Sequence, residues 1–245
     1  MDANDQIEKF ASYFKRQSIM ISGIRSDPED KSEIGPEDYR IRFYQKVLIV
    51  TALDTLAGIR FPKQNYPSLH RKNQKRFIRF LSEYASWDCG RLVCLPFLFD
   101  DLKKHSPKSS KILGFINDKL SQFDPKDGII ISPNEIDEPL EKILDLACTE
   151  KEEERICYYQ HYALLYRYRN FLIHESREPG YAMDGIRDFE NEAYYHGYIN
   201  IPKWHLAYPV ELFHRIFKNS IDELRSYLND QQVDPYTFVD DTMRW

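Results

Sequence analysis

Along most of this chain apolar residues recur every three or four positions, the spacing that gathers them on one face of a helix. Ile7, Phe10, Phe14 and Ile19 mark a first helix over residues 5–20. The turn-rich "SGIRSDPEDKSEIGPED" then predicts a polar loop. From Tyr39 the run "YRIRFYQKVLIVTALDTLAGIRFP" is helical again, with Phe43, Val47, Val50, Leu53 and Ala57 on one side and Gly58 and Pro62 closing it. Asp54, between Leu53 and Leu56, is either a paired core carboxylate or an exposed one at the stripe's edge. Residues 70–87, "HRKNQKRFIRFLSEYASW", set Phe77, Phe80, Leu81 and Tyr84 against a basic side of Arg71, Lys72, Lys75, Arg76 and Arg79. In "CGRLVCLPFLFDDLKKH" Pro96 starts or kinks a short helix. "SSKILGFINDKLSQF" and "PNEIDEPLEKILDLACTE" each predict another, separated by the turn and strand-like piece "DPKDGIIIS".

The longest helical signal runs without interruption from Glu152 to His174. Irregular chain follows in "ESREPGYAMDG". "NEAYYHGYINIPKWHLAYP" then alternates aromatic and polar residues about a central turn, the pattern of a β-hairpin. Pro209 opens a last helix with Leu212, Phe213, Ile216, Ile221 and Leu224 facing inward, and the tail from Asn229 is weakly patterned. There is no internal repeat. The architecture predicted is mainly α, a bundle of about six or seven helices with one small β excursion.

A chain of 245 residues fits one large domain or a core with insertions, and buries a core without staples. Hydrophobic residues at 42% and aromatics at 14% favour a folded globule over disorder. A net charge of −5 argues against a general nucleic-acid coat protein while leaving room for a local basic groove. Cys89, Cys94, Cys148 and Cys157 are too few and too scattered for a disulfide framework. Neither Cys89-x4-Cys94 nor Cys157-x3-His161 has zinc-site spacing, so buried, reduced thiols are expected. The opening "MDANDQIEKF" lacks the features of a leader, and no segment nears the ~20 apolar residues of a membrane span. These observations predict a cytoplasmic protein with no membrane contact, no metal and no cofactor.

On a single helix over 152–174, Tyr158, Tyr162, Tyr166, Asn170 and His174 form one row, and His161, Leu165, Arg169 and Ile173 the next. Arg169, Asn170 and His174 therefore gather at the C-terminal end. Cations there also favour the helix dipole and bond the free carbonyls, so a capping role competes with a chemical one. The sequence "RNFLIH" at residues 169–174 resembles the signature of the HEPN superfamily: an arginine, a polar residue directly after it, and a histidine after four to six intervening residues. The upstream "VLIVTALDTLAGIR" and "KRFIRFLSEY" are similar to the helices such proteins place before the motif. The resemblance spans residues 38–230, with a hairpin insertion at about 193–208, a helix and polar loop before it (1–37), and a tail after it (231–245).

What the resemblance implies is a HEPN-like helical bundle acting as a metal-independent endoribonuclease. Two copies of the motif would face each other across the cleft of a homodimer. RNA is the partner implied, with a further protein that inhibits or activates the enzyme, and a role as a toxin or in antiviral defence. The residue types suit that chemistry. RNA carries its own nucleophile, the 2′-hydroxyl, so the enzyme must move protons and stabilise charge on the phosphate. An imidazole, with an ordinary pKa near ~6.5, exchanges protons at cellular pH, the role for His174. The Arg169 fork suits non-bridging phosphate oxygens, and Asn170 would orient the phosphate or the histidine. Products would be a 2′,3′-cyclic phosphate and a 5′-hydroxyl. Tyr166, Arg177, Arg76 and Arg79 are the further substrate-binding candidates: tyrosines for stacking on bases, arginines for the backbone. The competing fates are helix packing for Tyr158, Tyr162 and Tyr166, a solvated face for the 71–79 cations, and mutual pairing among Glu175, Arg177 and Glu178.

Ser176 stands where toxins paired with a nucleotidyltransferase antitoxin carry a tyrosine, and Tyr181 is the next tyrosine after it, which puts that mode of control in doubt. His196 and His205 flank the hairpin turn and are expected to be ordinary surface or packing residues rather than a metal pair. Two other readings stand beside the enzyme: a catalytically silent HEPN-like module that binds nucleotide or RNA or serves as a scaffold, and a helical adaptor whose histidine only caps.

Overall fold

The computed structural model describes residues 2–24, 37–105, 110–179 and 191–237. The polar stretch 25–36, Tyr181 and the end of the tail lie outside them. The chain is mainly helical: α1 (Ala3–Ser22), α2 (Glu37–Arg60), α3 (Asn73–Tyr84), α4 (Leu95–His105), α5 (Lys111–Leu120), α6 (Pro133–Ile136), α7 (Leu140–Leu144), α8 (Glu150–Tyr158), α9 (His161–His174) and α10 (Val210–Gln231). Its strands are short: β1 (Leu92–Val93), β2 (Ile130–Ile131), β3 (Glu138–Pro139), β4 (Tyr194–Tyr198) and β5 (Ile201–Ala207).

Two compact units divide the chain, Met1–Ser86 with Leu172–Arg177 and Phe213–Trp245, and Trp87–Phe171 with Glu178–Leu212. In the first, the expected apolar faces become its core: Ile7, Phe10 and Phe14 of α1, Phe77, Phe80 and Leu81 of α3, and Phe213, Phe217, Ile221 and Leu224 of α10 are all buried. In α2 the buried stripe runs through Ile49, Val50, Leu53, Leu56 and Ala57, while Phe43 and Val47 are half-buried. Lys46 shares that face with no exposure and lies over the Phe213 ring. Arg60 ends the same helix among aromatics, donating to the Tyr66 hydroxyl at 2.7 Å and to Tyr84. Its guanidinium carbon stands 4.0 Å from the centre of Tyr227. Surface pairs Arg225–Glu8 and Lys15–Asp222, each 2.7 Å, tie α10 to α1.

The second unit has its own apolar cluster, with Val93, Leu95, Leu98, Leu102, Ile112, Ile116, Ile143 and Ile156 at its centre. The hairpin appears as β4 and β5, joined antiparallel with Tyr195 opposite Leu206 and His196 opposite His205. The strand-like piece near residue 130 joins it as β2, giving a three-stranded order β2-β4-β5. At the hairpin turn Asn200 takes a φ of 65°, which asparagine tolerates.

Two helices expected to be continuous are broken. The single helix over 152–174 is α8 and α9, parted at Tyr159–Gln160. There Gln160 bridges Val93, and the Cys94 amide donates to the Tyr159 carbonyl at 2.9 Å. Backbone groups used across to another segment are lost to the helical ladder, and the helix restarts at His161. The stretch "PNEIDEPLEKILDLACTE" is likewise divided into α6, β3, α7 and the start of α8. Pro139 interrupts it, β3 pairs with β1, and Thr149 caps α8 by accepting from the Glu152 amide at 3.2 Å.

Candidate functional site

Helix α9 carries the motif, and its first turn is fixed deep in the second unit. The His161 Nε2 lies 2.7 Å from Asp137 Oδ2, and its Nδ1 lies 2.9 Å from the Tyr208 hydroxyl. One residue on, the Tyr162 hydroxyl donates to the Trp87 carbonyl at 3.0 Å. From this anchor the helix continues to Arg169, Asn170 and His174 without a break. All three are residues of one helix, so its geometry sets their spacing. From Arg169 to His174 the axis advances about 7.5 Å, a little under one and a half turns.

Arg169 and Asn170 are half-buried and joined: Arg169 Nη1 donates to Asn170 Oδ1 at 3.0 Å. The guanidinium also sits 5.7 Å from the ring centre of the half-buried Tyr166. His174 is exposed in the final turn. Past the helix, Arg177 is held by Glu175, with Nη2–Oε2 at 2.6 Å, and both are exposed. Glu178 accepts from the Tyr168 hydroxyl.

The cations at residues 71–79 belong to the first unit. Arg79 is exposed but engaged, donating to Glu83 at 2.7 Å with its guanidinium 4.8 Å from the Phe61 ring centre. Arg76 is half-buried, its guanidinium lying against Gly58 of α2. Arg71, Lys72 and Lys75 are exposed. The tyrosine row does not survive the break between α8 and α9: Tyr158 is 44% exposed on α8, whereas Tyr162 is 2% exposed and packs on Trp87. Of the four cysteines, Cys89 and Cys94 are buried as expected, but Cys148 and Cys157 are exposed. Cys148 lies just before α8, and Cys157 lies within it on an exposed side. His196 and His205 pack around Tyr198, with ring centres 4.3 Å and 4.9 Å from it. Among the described residues no three His, Cys, Asp or Glu side chains gather as metal ligands would.

Two groupings go beyond the sequence reading. The first is a buried polar network around Asp137. Its Oδ2 accepts from the Tyr195 hydroxyl at 2.6 Å as well as facing His161, and its Oδ1 accepts from the Leu95 amide at 2.9 Å. That last bond places a carboxylate on the N-terminus of α4, a cap supplied from 42 residues away. Burial, reinforced by the Asp137 charge, pushes the Cys94 thiol and the Tyr195 phenol well above their ordinary values. Tyr208 moves the same way, again chiefly through burial. No local spacing relates residues 94, 137, 161, 195 and 208, so the sequence carried no signal for this network.

The second is a cleft of about 420 Å³ confined to the second unit, walled on one side by Leu164, Arg167, Tyr168 and Phe171 of α9. Here a signal was present. Those four positions fall at i, i+3, i+4 and i+7, one continuous stripe of the helix that also carries the motif.

The chain matches no family model, no curated protein and no solved structure. No helix among the described residues is long and apolar enough to cross a membrane.

Proposed function

We propose that the chain is a metal-independent endoribonuclease of the HEPN type, working as a homodimer in which two copies of the motif share one cleft. The observation that carries this reading is the Arg169–Asn170 hydrogen bond on α9, with an exposed His174 ending the same helix. In the proposed reaction the 2′-oxygen loses its proton to an imidazole and bonds to the adjacent phosphorus. The bond from phosphorus to the 5′-oxygen breaks, and that oxygen takes up a proton. A 2′,3′-cyclic phosphate and a 5′-hydroxyl result. Arg169, turned by Asn170, holds the non-bridging oxygens as their charge grows. His174 moves the protons. Two copies would supply one imidazole as base and a second as acid. Such an activity fits a toxin or an antiviral effector held in check by a partner protein in the cytoplasm.

The test is RNA cleavage in excess EDTA by the wild type and by His174→Ala, after both have been shown to share one fold and oligomeric state. Cleavage by the wild type alone, leaving cyclic-phosphate ends, is the expected result. Equal cleavage by both proteins would remove His174 from the chemistry. Absence of cleavage by either, across structured and single-stranded RNA, would favour the silent binding module.

A further inference from the structure

We infer that the cleft of the second unit is a docking groove for an extended, acidic peptide of a partner protein, which joins the sheet as a strand beside β5. None of its residues belongs to the Arg169–Asn170–His174 set, and the inference stands whether or not the chain cleaves RNA. In the order β2-β4-β5, β5 is the outer strand. Successive side chains of a strand point to opposite faces. A cleft lined by Lys203, Trp204, His205 and Leu206 in succession therefore runs along the edge of β5.

The hydrogen bonding of β4 shows which groups that edge offers. The Gly197 amide donates to the Ile129 carbonyl at 2.9 Å, on the β2 side. Backbone groups alternate in direction along a strand, so Tyr195 also turns towards β2, and Tyr194 and His196 turn towards β5. Their partners Ala207 and His205 are the residues of β5 that bond back. Trp204 and Leu206, opposite Gly197 and Tyr195, direct N–H and C=O away from β4. Among the described residues neither has another backbone bond. An open edge of this kind recruits a further strand, as in peptide recognition by β-augmentation. Pro202 carries no N–H and ends the run.

The walls and their charge select the occupant. Helix α9 lines the cleft through Leu164, Tyr168 and Phe171, and α4 through Phe97 and Asp100. Flanked by two helices, the edge admits one extended chain rather than the whole sheet of a second copy. A cavity of about 190 Å³ shares Phe97, Asp100, Lys203 and Trp204 with the cleft and continues the groove to Pro202. Lys103, Lys104 and Lys203 are exposed along it. Asp101 is bound to Arg155, which leaves Asp100 as the opposing carboxylate of the lining. Arg167 is already engaged, bonding Tyr159 and lying over the Tyr158 ring. A peptide with acidic residues flanking apolar ones complements the lysines and the rings together.

Fluorescence polarisation of labelled, end-blocked pentapeptides with the full chain tests this. The probes are Glu-Val-Phe-Val-Glu, Lys-Val-Phe-Val-Lys, and the acidic peptide N-methylated either at both valines or at the phenylalanine. Saturable binding of the acidic peptide is expected, with the basic one at least about tenfold weaker. In a strand only alternate residues bond the edge. Methylating one of the two sets should therefore cost about tenfold or more, and the other much less. Lys203→Glu, a surface change, should weaken the acidic peptide by about three- to tenfold and tighten the basic one. Amide exchange gives a second readout: the acidic peptide should protect Trp204 and Leu206, whereas His205 and Ala207 are protected throughout. No saturable binding of the acidic peptide at millimolar concentration would overturn the inference. So would equal losses from the two methylation patterns. Trp204 and Leu206 amides already protected in the free protein would also overturn it, by placing a segment of this chain in the groove.

Discussion

Nε2 of His161 lies 2.7 Å from Oδ2 of Asp137, and neither side chain has any exposed surface. The pair joins the start of α9 to the segment between α6 and β3. Through the same carboxylate it reaches the Leu95 amide at the head of α4 and the Tyr195 hydroxyl on β4. With Nε2–H donating to Asp137, Nδ1 is left to accept the Tyr208 hydroxyl, so every polar atom of the imidazole is matched. A buried network satisfied in this way specifies one arrangement of the second unit.

Asp137→Ala should accordingly be among the most damaging single changes in that unit. It strands the Leu95 amide, the Tyr195 hydroxyl and the His161 imidazole at once. The expected loss is about 3–5 kcal/mol, the cost of breaking a buried pair from one side. Tyr195→Phe keeps the ring and removes a single donor, so it should lose only about 1–2 kcal/mol. Urea unfolding of the two variants checks the order. A loss below about 1 kcal/mol for Asp137→Ala would show that the network is incidental to stability.

Much of the first unit was legible from periodicity, because its helices are amphipathic and bury the stripes that their spacing announces. Phe10 with Phe14, and Phe77 with Leu81, are buried where helical spacing places them. Lys46 was not legible: its burial depends on the neighbours that surround it, which no local pattern states. The break at Tyr159–Gln160 was hidden because no glycine or proline marks it, while its cause, the Val93 and Cys94 backbone, lies more than sixty residues earlier. At the candidate site the motif was legible because it is local to one helix. The Arg169–Asn170 bond follows from that adjacency. Arg167 carried a helical-stripe signal that the attention to Arg169 passed over.

The proposed chemistry assigns unequal weights to the three motif residues. His174→Ala should reduce cleavage by about 10²–10⁴-fold, the usual worth of a positioned acid or base. Arg169→Lys keeps the charge but loses the fork and the bond to Asn170 Oδ1. A loss of about tenfold or more is expected, mostly in kcat, because the contact matters most as the phosphate gains charge. Asn170→Ala, which frees the guanidinium to turn, should fall between wild type and the His174 variant. Single-turnover cleavage in EDTA measures all three, and a wild-type rate for Arg169→Lys would exclude phosphate clamping.

The hairpin should make the protein sensitive to mild acid. His196 and His205 face each other across β4 and β5 and are each 9% exposed. Burial lowers both pKa values, and for His205 the charges of Lys203 and His196 add to the effect. A histidine with a lowered folded-state pKa binds fewer protons folded than unfolded. Its stabilising contribution is therefore complete above the ordinary value near ~6.5 and is lost as pH falls through the lowered value. The slope for one such group cannot exceed about 1.4 kcal/mol per pH unit. Stability measured by urea unfolding should fall between pH 7.5 and pH 5, and His205→Gln should flatten that fall. An unchanged slope in the variant would place the acid sensitivity elsewhere.

Two glycines should respond in opposite directions to alanine. A Cβ on Gly197 would stand 2.3 Å from the Pro125 carbonyl oxygen and 2.8 Å from the Pro125 Cα. Both are backbone atoms, and they are fixed here because the Gly197 amide donates to the Ile129 carbonyl at 2.9 Å. The strand or the turn before β2 must therefore shift, at an expected cost of about 1–3 kcal/mol. Gly114 is exposed within α5, and a Cβ there would meet nothing within 4 Å. With no contact to disturb, Gly114→Ala acts through the unfolded chain and through helix propensity, and should stabilise by about 0.5–1 kcal/mol. Thermal unfolding of the two single variants and the double variant checks both signs. Gly197 and Gly114 share no contact in their immediate surroundings, so the double variant should equal the sum of the two within about 0.5 kcal/mol. A stabilising Gly197→Ala would mean that β4 stands further from Pro125 than its backbone bonds require.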